Sequence, residues 1–198
     1  MIGTVDNLNS TGTISGYFLD ANDVYHGYTR TPDGTISQLD DPEAGTGPQQ
    51  GTEFSGINDA GMITGVYIDS NTVFHGFIFV NGTFTNFDAP GAGTGSNEGT
   101  LAENINEFGA ITGQYVDSVD VNHGFLRTPD GVISTFDAPG GGTGSGQGTV
   151  PSCNNAANAI TGWYLDSNNT WHGFLRAPPP RPQATPRPRP TPHPRPTS

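Results

Sequence analysis

Met62 to Phe77 reads MITGVYIDSNTVFHGF, and near-copies of it begin at Thr13 (TISGYFLDANDVYHGY), Ala110 (AITGQYVDSVDVNHGF) and Ala159 (AITGWYLDSNNTWHGF). The histidines they carry, His26, His75, His123 and His172, are 49, 48 and 49 positions apart. The chain is therefore built from one unit of about 48 residues, and a period of that size points to a propeller, a solenoid or an array.

Each unit divides into four short strands, a to d. Strand a follows a Gly-Thr pair, at Gly3-Thr4, Gly51-Thr52, Gly99-Thr100 and Gly148-Thr149. The turn after it ends at Gly12, Gly61, Gly109 and Asn158. Asn is the residue that most readily replaces Gly where φ is positive, so this turn needs a left-handed residue at its end. Strand b alternates Ile, Gly and an aromatic on one face, as in Ile63, Gly65 and Tyr67. The recurrent Gly predicts close approach by the neighbouring sheet, with an aromatic over the gap. Strand b closes on Asp20, Asp69, Asp117 or Asp166, and strand c starts at the His-Gly-aromatic triplet. Asn81-Gly82 then marks a hairpin into strand d, followed by a Gly-rich loop that begins at Asp40, Asp88 or Asp137.

Strands a, b and c occur four times, whereas d occurs three times. After Arg176 the pattern gives way to a tail in which ten of the last twenty-one residues are Pro. Such a tail favours extended polyproline II and cannot supply a central strand. The expected fold is all-β: a four-bladed β-propeller over residues 1–176 with an extended Pro/Arg-rich tail over 177–198. A β-solenoid or an open row of β-modules is the alternative. The missing strand leaves an edge, closed within the ring or completed by a neighbour.

Charge narrows the partners. The net charge is -12, and there is no Lys; four of the seven Arg, namely Arg181, Arg187, Arg189 and Arg195, lie in the tail. An acidic body lacks the positive footprint of a nucleic-acid groove. No stretch reaches the roughly 18 apolar residues that a membrane span requires. The N-terminal MIGTVDNLNS has neither the basic nor the apolar region of a signal peptide, so the numbering is expected to begin after processing or inside a longer reading frame.

The motif ITGxYxDSNxxxHGF with its following FDAPGAGTG, and INDAGxITG across the a–b turn, resembles the bacterial extracellular repeat family called HAF, named for a His-Ala-Phe triplet. Here the triplet is His-Gly-Phe or His-Gly-Tyr. The resemblance covers Gly3 to Arg176. It implies an extracellular or cell-surface bacterial protein with propeller-like repeats, and it implies no reaction and no catalytic residues.

Four Asp (Asp20, Asp69, Asp117, Asp166) and four His (His26, His75, His123, His172) at equivalent positions are of the types that bind metals or move protons. A catalytic site on a repeat scaffold breaks the symmetry, and these residues keep it. The plainer reading has each Asp capping the b–c turn and each His hydrogen-bonding across the sheet. A Ca2+ site is the sharper alternative, with Asp69, Asn71, Asp166 and Asn168 as ligands and Gly-rich-loop carbonyls completing the shell. These loops lack EF-hand spacing, and the third copy has Val119 in place of Asn. The Gly-rich loops do not match a phosphate-binding loop. Cys153 is the sole cysteine and reads as a buried or incidental thiol.

Tyr17, Trp163 and Trp171 suit either sugar stacking or blade packing. Asn9-Ser10-Thr11, Asn81-Gly82-Thr83 and Asn168-Asn169-Thr170 fit the N-glycosylation pattern by coincidence of composition, while Thr185, Thr191 and Thr197 sit among prolines like an O-glycosylated stalk. The expected function is a non-enzymatic extracellular structural or adhesive protein that associates with copies of itself, as a filament, through its incomplete blade and its tail. The alternative is a lectin-like propeller that binds cell-surface or matrix glycans with or without Ca2+.

Overall fold

The structure is a computed structural model that describes residues 2–178. Residues 179–198, with Thr185, Thr191 and Thr197, lie outside the described residues. The first unit holds β1 (Ile2–Gly3), β2 (Asn7–Leu8), β3 (Ile14–Leu19), β4 (Tyr25–Arg30) and β5 (Ile36–Gln38). The second holds β6 (Gly51–Ile57), β7 (Ile63–Ile68), β8 (Phe74–Val80) and β9 (Thr83–Phe87). In the third are β10 (Gly99–Ile105), β11 (Ile111–Val116), β12 (Asn122–Arg127) and β13 (Ile133–Phe136). The fourth has β14 (Gly148–Asn154), β15 (Ile160–Leu165) and β16 (Trp171–Arg176), and no fourth strand among the described residues. The described residues contain no helix, hence none long and apolar enough to cross a membrane.

Turn chemistry fixes the strand ends. Gly12, Gly61, Gly109 and Asn158 all take positive φ, from 60° to 84°, so the fourth unit keeps with Asn what the others do with Gly. Asn58 Oδ1 accepts from the N–H of Ala60 and of Met62 at 3.1 and 3.0 Å, which folds the a–b turn around the asparagine.

All sixteen strands belong to one mixed sheet. Pairing inside a unit is antiparallel, and consecutive units are joined by single parallel pairs, Tyr25 with Gly51, Phe74 with Gly99 and Asn122 with Gly148. At these joints the backbones touch: a Cβ on Gly51 would collide with the carbonyl of Tyr25, and φ there is 124°. The following Thr holds the loop that arrives from the previous unit. Thr52, Thr100 and Thr149 each accept at Oγ1 from the N–H of Asp41, Ala89 and Ala138, all at 2.9 Å.

The Gly-Thr register fails in the first unit. Gly3 pairs with Phe18 as Thr52 pairs with Tyr67, so Ile2, not Gly3, stands where Gly51 stands. The reason is steric: no preceding strand c approaches this position, so nothing there demands glycine. The glycine of strand b also has a different cause from the one expected. What approaches Gly65 is the carbonyl of Glu53 on β6 of its own unit, next to the β-bulge between Phe54 and Gly56, and the ring that covers it is Phe77 of β8.

The core lies at the junctions between units. Phe54, Ile57, Ile63, Tyr67 and Phe77 of the second unit pack with Leu39 of the first. Ala102, Ile105, Ile111 and Phe125 of the third pack with Met62 and Phe87 of the second. Ile160 and Phe174 of the fourth meet Leu126 and Phe136 of the third. An asparagine ladder runs along the same direction: Asn9, Asn58 and Asn106 donate from Nδ2 to the carbonyls of Asn58, Asn106 and Asn155, at 3.2, 3.1 and 2.9 Å. The path of paired strands ends at β1 and β16, which do not pair, so the sheet is not closed among the described residues.

Candidate functional site

The Asp-His pairs recur as one arrangement. Asp69 Oδ1 accepts from the N–H of Asn71 at 2.8 Å and of Val73 at 2.9 Å, and Asp20, Asp117 and Asp166 do the same in their own turns. His26, His75 and His123 each lie between two carboxylates, whereas His172 meets Asp166 alone among the described residues. His75 Nδ1 is hydrogen-bonded to Asp88 at 3.0 Å, and its Nε2 lies 4.0 Å from Asp69. His26 and His123 meet Asp40 and Asp137 in the same way, at 2.9 and 2.8 Å. The ring stacks on the strand b aromatic, as His75 does on Tyr67 with centroids 4.7 Å apart. Asp40, Asp88 and Asp137 escaped attention as partners in the sequence. Their signal is the nearly constant offset of 13 or 14 residues from the histidine.

Electrostatics follows the geometry. The N–H of Val24, then that of Asn22, holds Asp20 below the ordinary carboxylate range. At Asp69 and Asp117 burial pushes upward, yet the turn N–H groups prevail and the carboxyls still titrate low. The hydrogen bond to Asp88 raises His75 against the opposing effect of burial.

Of the proposed Ca2+ ligands, Asp69 and Asp166 accept at Oδ1 from their own turns, Asn71 and Asn168 giving their N–H, and Asn71 Nδ2 also donates to Asp69 Oδ2 at 3.2 Å. Among the described residues no three His, Cys, Asp or Glu side chains are grouped to hold a metal.

A feature unseen in the sequence is a cavity of about 350 Å³ lined from all four units, by Asp6, Glu53, Ser55, Glu103, Ser152 and Cys153 among others. Burial, then the nearby Asp6 and Glu103, pushes Glu53 up to about 7, and burial raises Glu103 as well. Cys153 is exposed there, not buried. Tyr17 lines the same cavity and packs edge-on against Tyr25. Trp163 and Trp171 pack on each other at the far end of the chain, centroids 4.1 Å apart. Asn9 is buried and holds the ladder, so it is not presented as a glycan acceptor.

The two end units differ most from the rest. Strand β16 alternates exposed and half-buried residues along its length, and it presents Trp171, Gly173 and Leu175 to solvent. In the first three units the same face is covered: a Cβ on Gly27 would meet Phe54, one on Gly76 would meet Phe87 and Thr100, and one on Gly124 would meet Phe136 and Pro151. Around Gly173, among the described residues, only the Gly162 carbonyl comes within 4 Å. At the other end, Val5 and Leu8 occupy the places of Phe54 and Ile57 and are 62% and 61% exposed, whereas Phe54 and Ile57 are 0% and 6%. No family model matches the chain, and no curated protein matches it.

Proposed function

We infer that this is a non-enzymatic structural repeat protein, a four-bladed propeller whose copies associate end to end. The observation that carries the reading is the pair of uncovered faces. Trp171, Gly173 and Leu175 form the outward half of a unit junction, and Val5 and Leu8 form the inward half. Three complete junctions of this kind already exist inside the chain, so the same packing supplies a fourth between two copies. The asparagine ladder agrees in polarity: Asn155 Nδ2 and the Asn9 carbonyl are its two open ends. The cavity lined by strand a of all four units supports a ring-like course of the units about one axis.

The recurrence of the Asp-His contact across strand b and strand c in all four units argues for a structural role and against catalysis. An extracellular or cell-surface location rests on the resemblance to the HAF repeats, and a contribution of the Arg-rich tail rests on its charge against the acidic body. Sedimentation velocity and electron microscopy test the association, with and without residues 177–198. Concentration-dependent linear oligomers are expected. Monomers throughout, in both forms, overturn it.

A lectin-like role is the second reading, favoured by one observation: Trp171 is 62% exposed beside Trp163. Binding on a glycan array that Trp171→Ala abolishes supports it. A flat array, with and without Ca2+, removes it.

A further inference from the structure

We propose that the free edge of β16 is a receptor for one extended strand of another polypeptide, of the pattern Ile/Phe-x-x-Leu/Phe-Asp. It rests on the same incompleteness as the end-to-end reading, yet it concerns main-chain pairing along the edge and not packing on the face.

Three internal precedents define the ligand. Strand β5 runs antiparallel to β4, β9 to β8 and β13 to β12, whereas β16 pairs only with β15 among the described residues. In the third unit Arg127 stands opposite Ile133 and Gly124 opposite Phe136. In the second, Phe79 stands opposite Phe84 and Gly76 opposite Phe87. In the first, Arg30 stands opposite Ile36, and Leu39 donates its N–H to the Gly27 carbonyl. So an apolar residue faces the end of strand c, and three residues later Leu or Phe stands opposite the glycine of the His-Gly triplet; the rings of Phe87 and Phe136 lie over that glycine in the second and third units, and in the first the Phe54 ring of the next unit does. The next residue is always Asp, and it takes the Nδ1 of the histidine.

Each of those contacts is open in the fourth unit. Among the described residues a Cβ at Gly173 meets nothing closer than the Gly162 carbonyl at 3.9 Å, and none of them fills the bed for the Leu or Phe. His172 keeps its Asp166 contact at 3.1 Å through Nε2, while its Nδ1 has no partner among the described residues. The His172 side chain is 40% exposed, against 21% and 22% in His75 and His123. An unpaired strand edge with a shaped pocket and a fixed polar group is the arrangement that recognises a peptide by strand addition: backbone pairing supplies affinity, and alternate side chains supply specificity. The sequence of residues 179–198 does not carry this pattern, since it has no Ile, no Leu, no aromatic residue and no Asp.

The probe is the capped peptide with the sequence of residues 132–139, VISTFDAP, added to the full chain. Trp163 and Trp171 are the two tryptophans of the protein and flank the edge, so their fluorescence reads binding directly. A saturable one-to-one change below about 1 mM is expected. Replacing the peptide's Phe by Ala or its Asp by Asn should weaken binding at least about tenfold. Gly173→Val should abolish binding while leaving the urea midpoint unchanged, since that position is open. No saturation, equal binding of a scrambled peptide, or full binding by Gly173→Val overturns the proposal. The two readings separate cleanly: a chain that remains monomeric and takes the peptide loses only the end-to-end reading, and one that polymerises and ignores it loses only this one.

Discussion

His75-Gly76-Phe77 and His172-Gly173-Phe174 are the same triplet, at the same place in the same kind of unit, and they have opposite surroundings. Around Gly76 the ring of Phe87 and the Thr100 methyl lie where a Cβ would go; around Gly173, among the described residues, only the Gly162 carbonyl comes within 4 Å. Phe77 is fully buried, whereas Phe174 is half-buried. Local sequence makes the strand and aims the side chains. Whether a position is core depends on the unit that follows it, so the stability of this protein resides in junctions more than in units.

The comparison is easiest to break with a side chain at the two glycines. Gly76→Val should destabilise by about 2 to 3 kcal/mol, because the Phe87 ring and the Thr100 methyl occupy the space and must shift. Gly173→Val should stay within about 0.5 kcal/mol in the same urea titration. Equal effects would show that Gly76 is not held at a close-packed junction. Next come the rings that face the preceding unit: Phe125→Ala should lose about 3 to 4 kcal/mol and Phe174→Ala about half of that, in proportion to burial.

The third test is acid–base. Glu53 titrates near 7, above its unfolded value, because it is buried beside Asp6 and Glu103. A carboxyl raised in this way stabilises fully below its unfolded pKa and loses that contribution as pH rises through 7. His75, also raised, is lost in the same direction. The turn carboxylates Asp20, Asp69, Asp117 and Asp166 are lowered, so their contribution is present above about pH 4 and disappears as pH falls further. Maximum stability is therefore expected at mildly acidic pH. Glu53→Gln should raise the unfolding free energy at pH 8 by on the order of 2 kcal/mol and change little at pH 4. A gain of equal size at both pH values would place the cause outside ionisation.

The smallest effect separates the ladder from its open end. Asn106→Asp keeps the turn acceptor but removes the donor to the Asn155 carbonyl, and about 1 to 2 kcal/mol should be lost. The Asn155 side chain has turn contacts alone among the described residues, accepting from Ala157 and Ala159. For Asn155→Asp the loss should be under about 0.5 kcal/mol, read by thermal unfolding.

Much of this was legible in the residues. Alternation by two and the turn signals place the strands, and substitution of Asn158 for glycine reveals a positive φ before any coordinate is known. The absence of a fourth strand d is visible as a repeat that gives way to proline. Partners across space were not legible. The Gly-Thr pair looks alike at Gly3 and Gly51, yet Gly51 touches the preceding strand c while Gly3 stands one place further along, where Thr52 stands in the second unit, so the first unit is offset by one residue. Glu53 and Glu103 are unremarkable in a row of letters, and they share one cavity only because strand a of every unit lines it.

The sequence by itself determined the unit, its strands and its turns, since these depend on φ preference, alternation and hydrogen bonds spanning only a few residues. Tertiary structure alone decided which glycines are crowded, which histidines are clamped on both sides, and which faces are left uncovered. Each of those depends on a strand or loop elsewhere in the same unit or in the adjacent one, and at the two ends of the described chain part of that surrounding is missing.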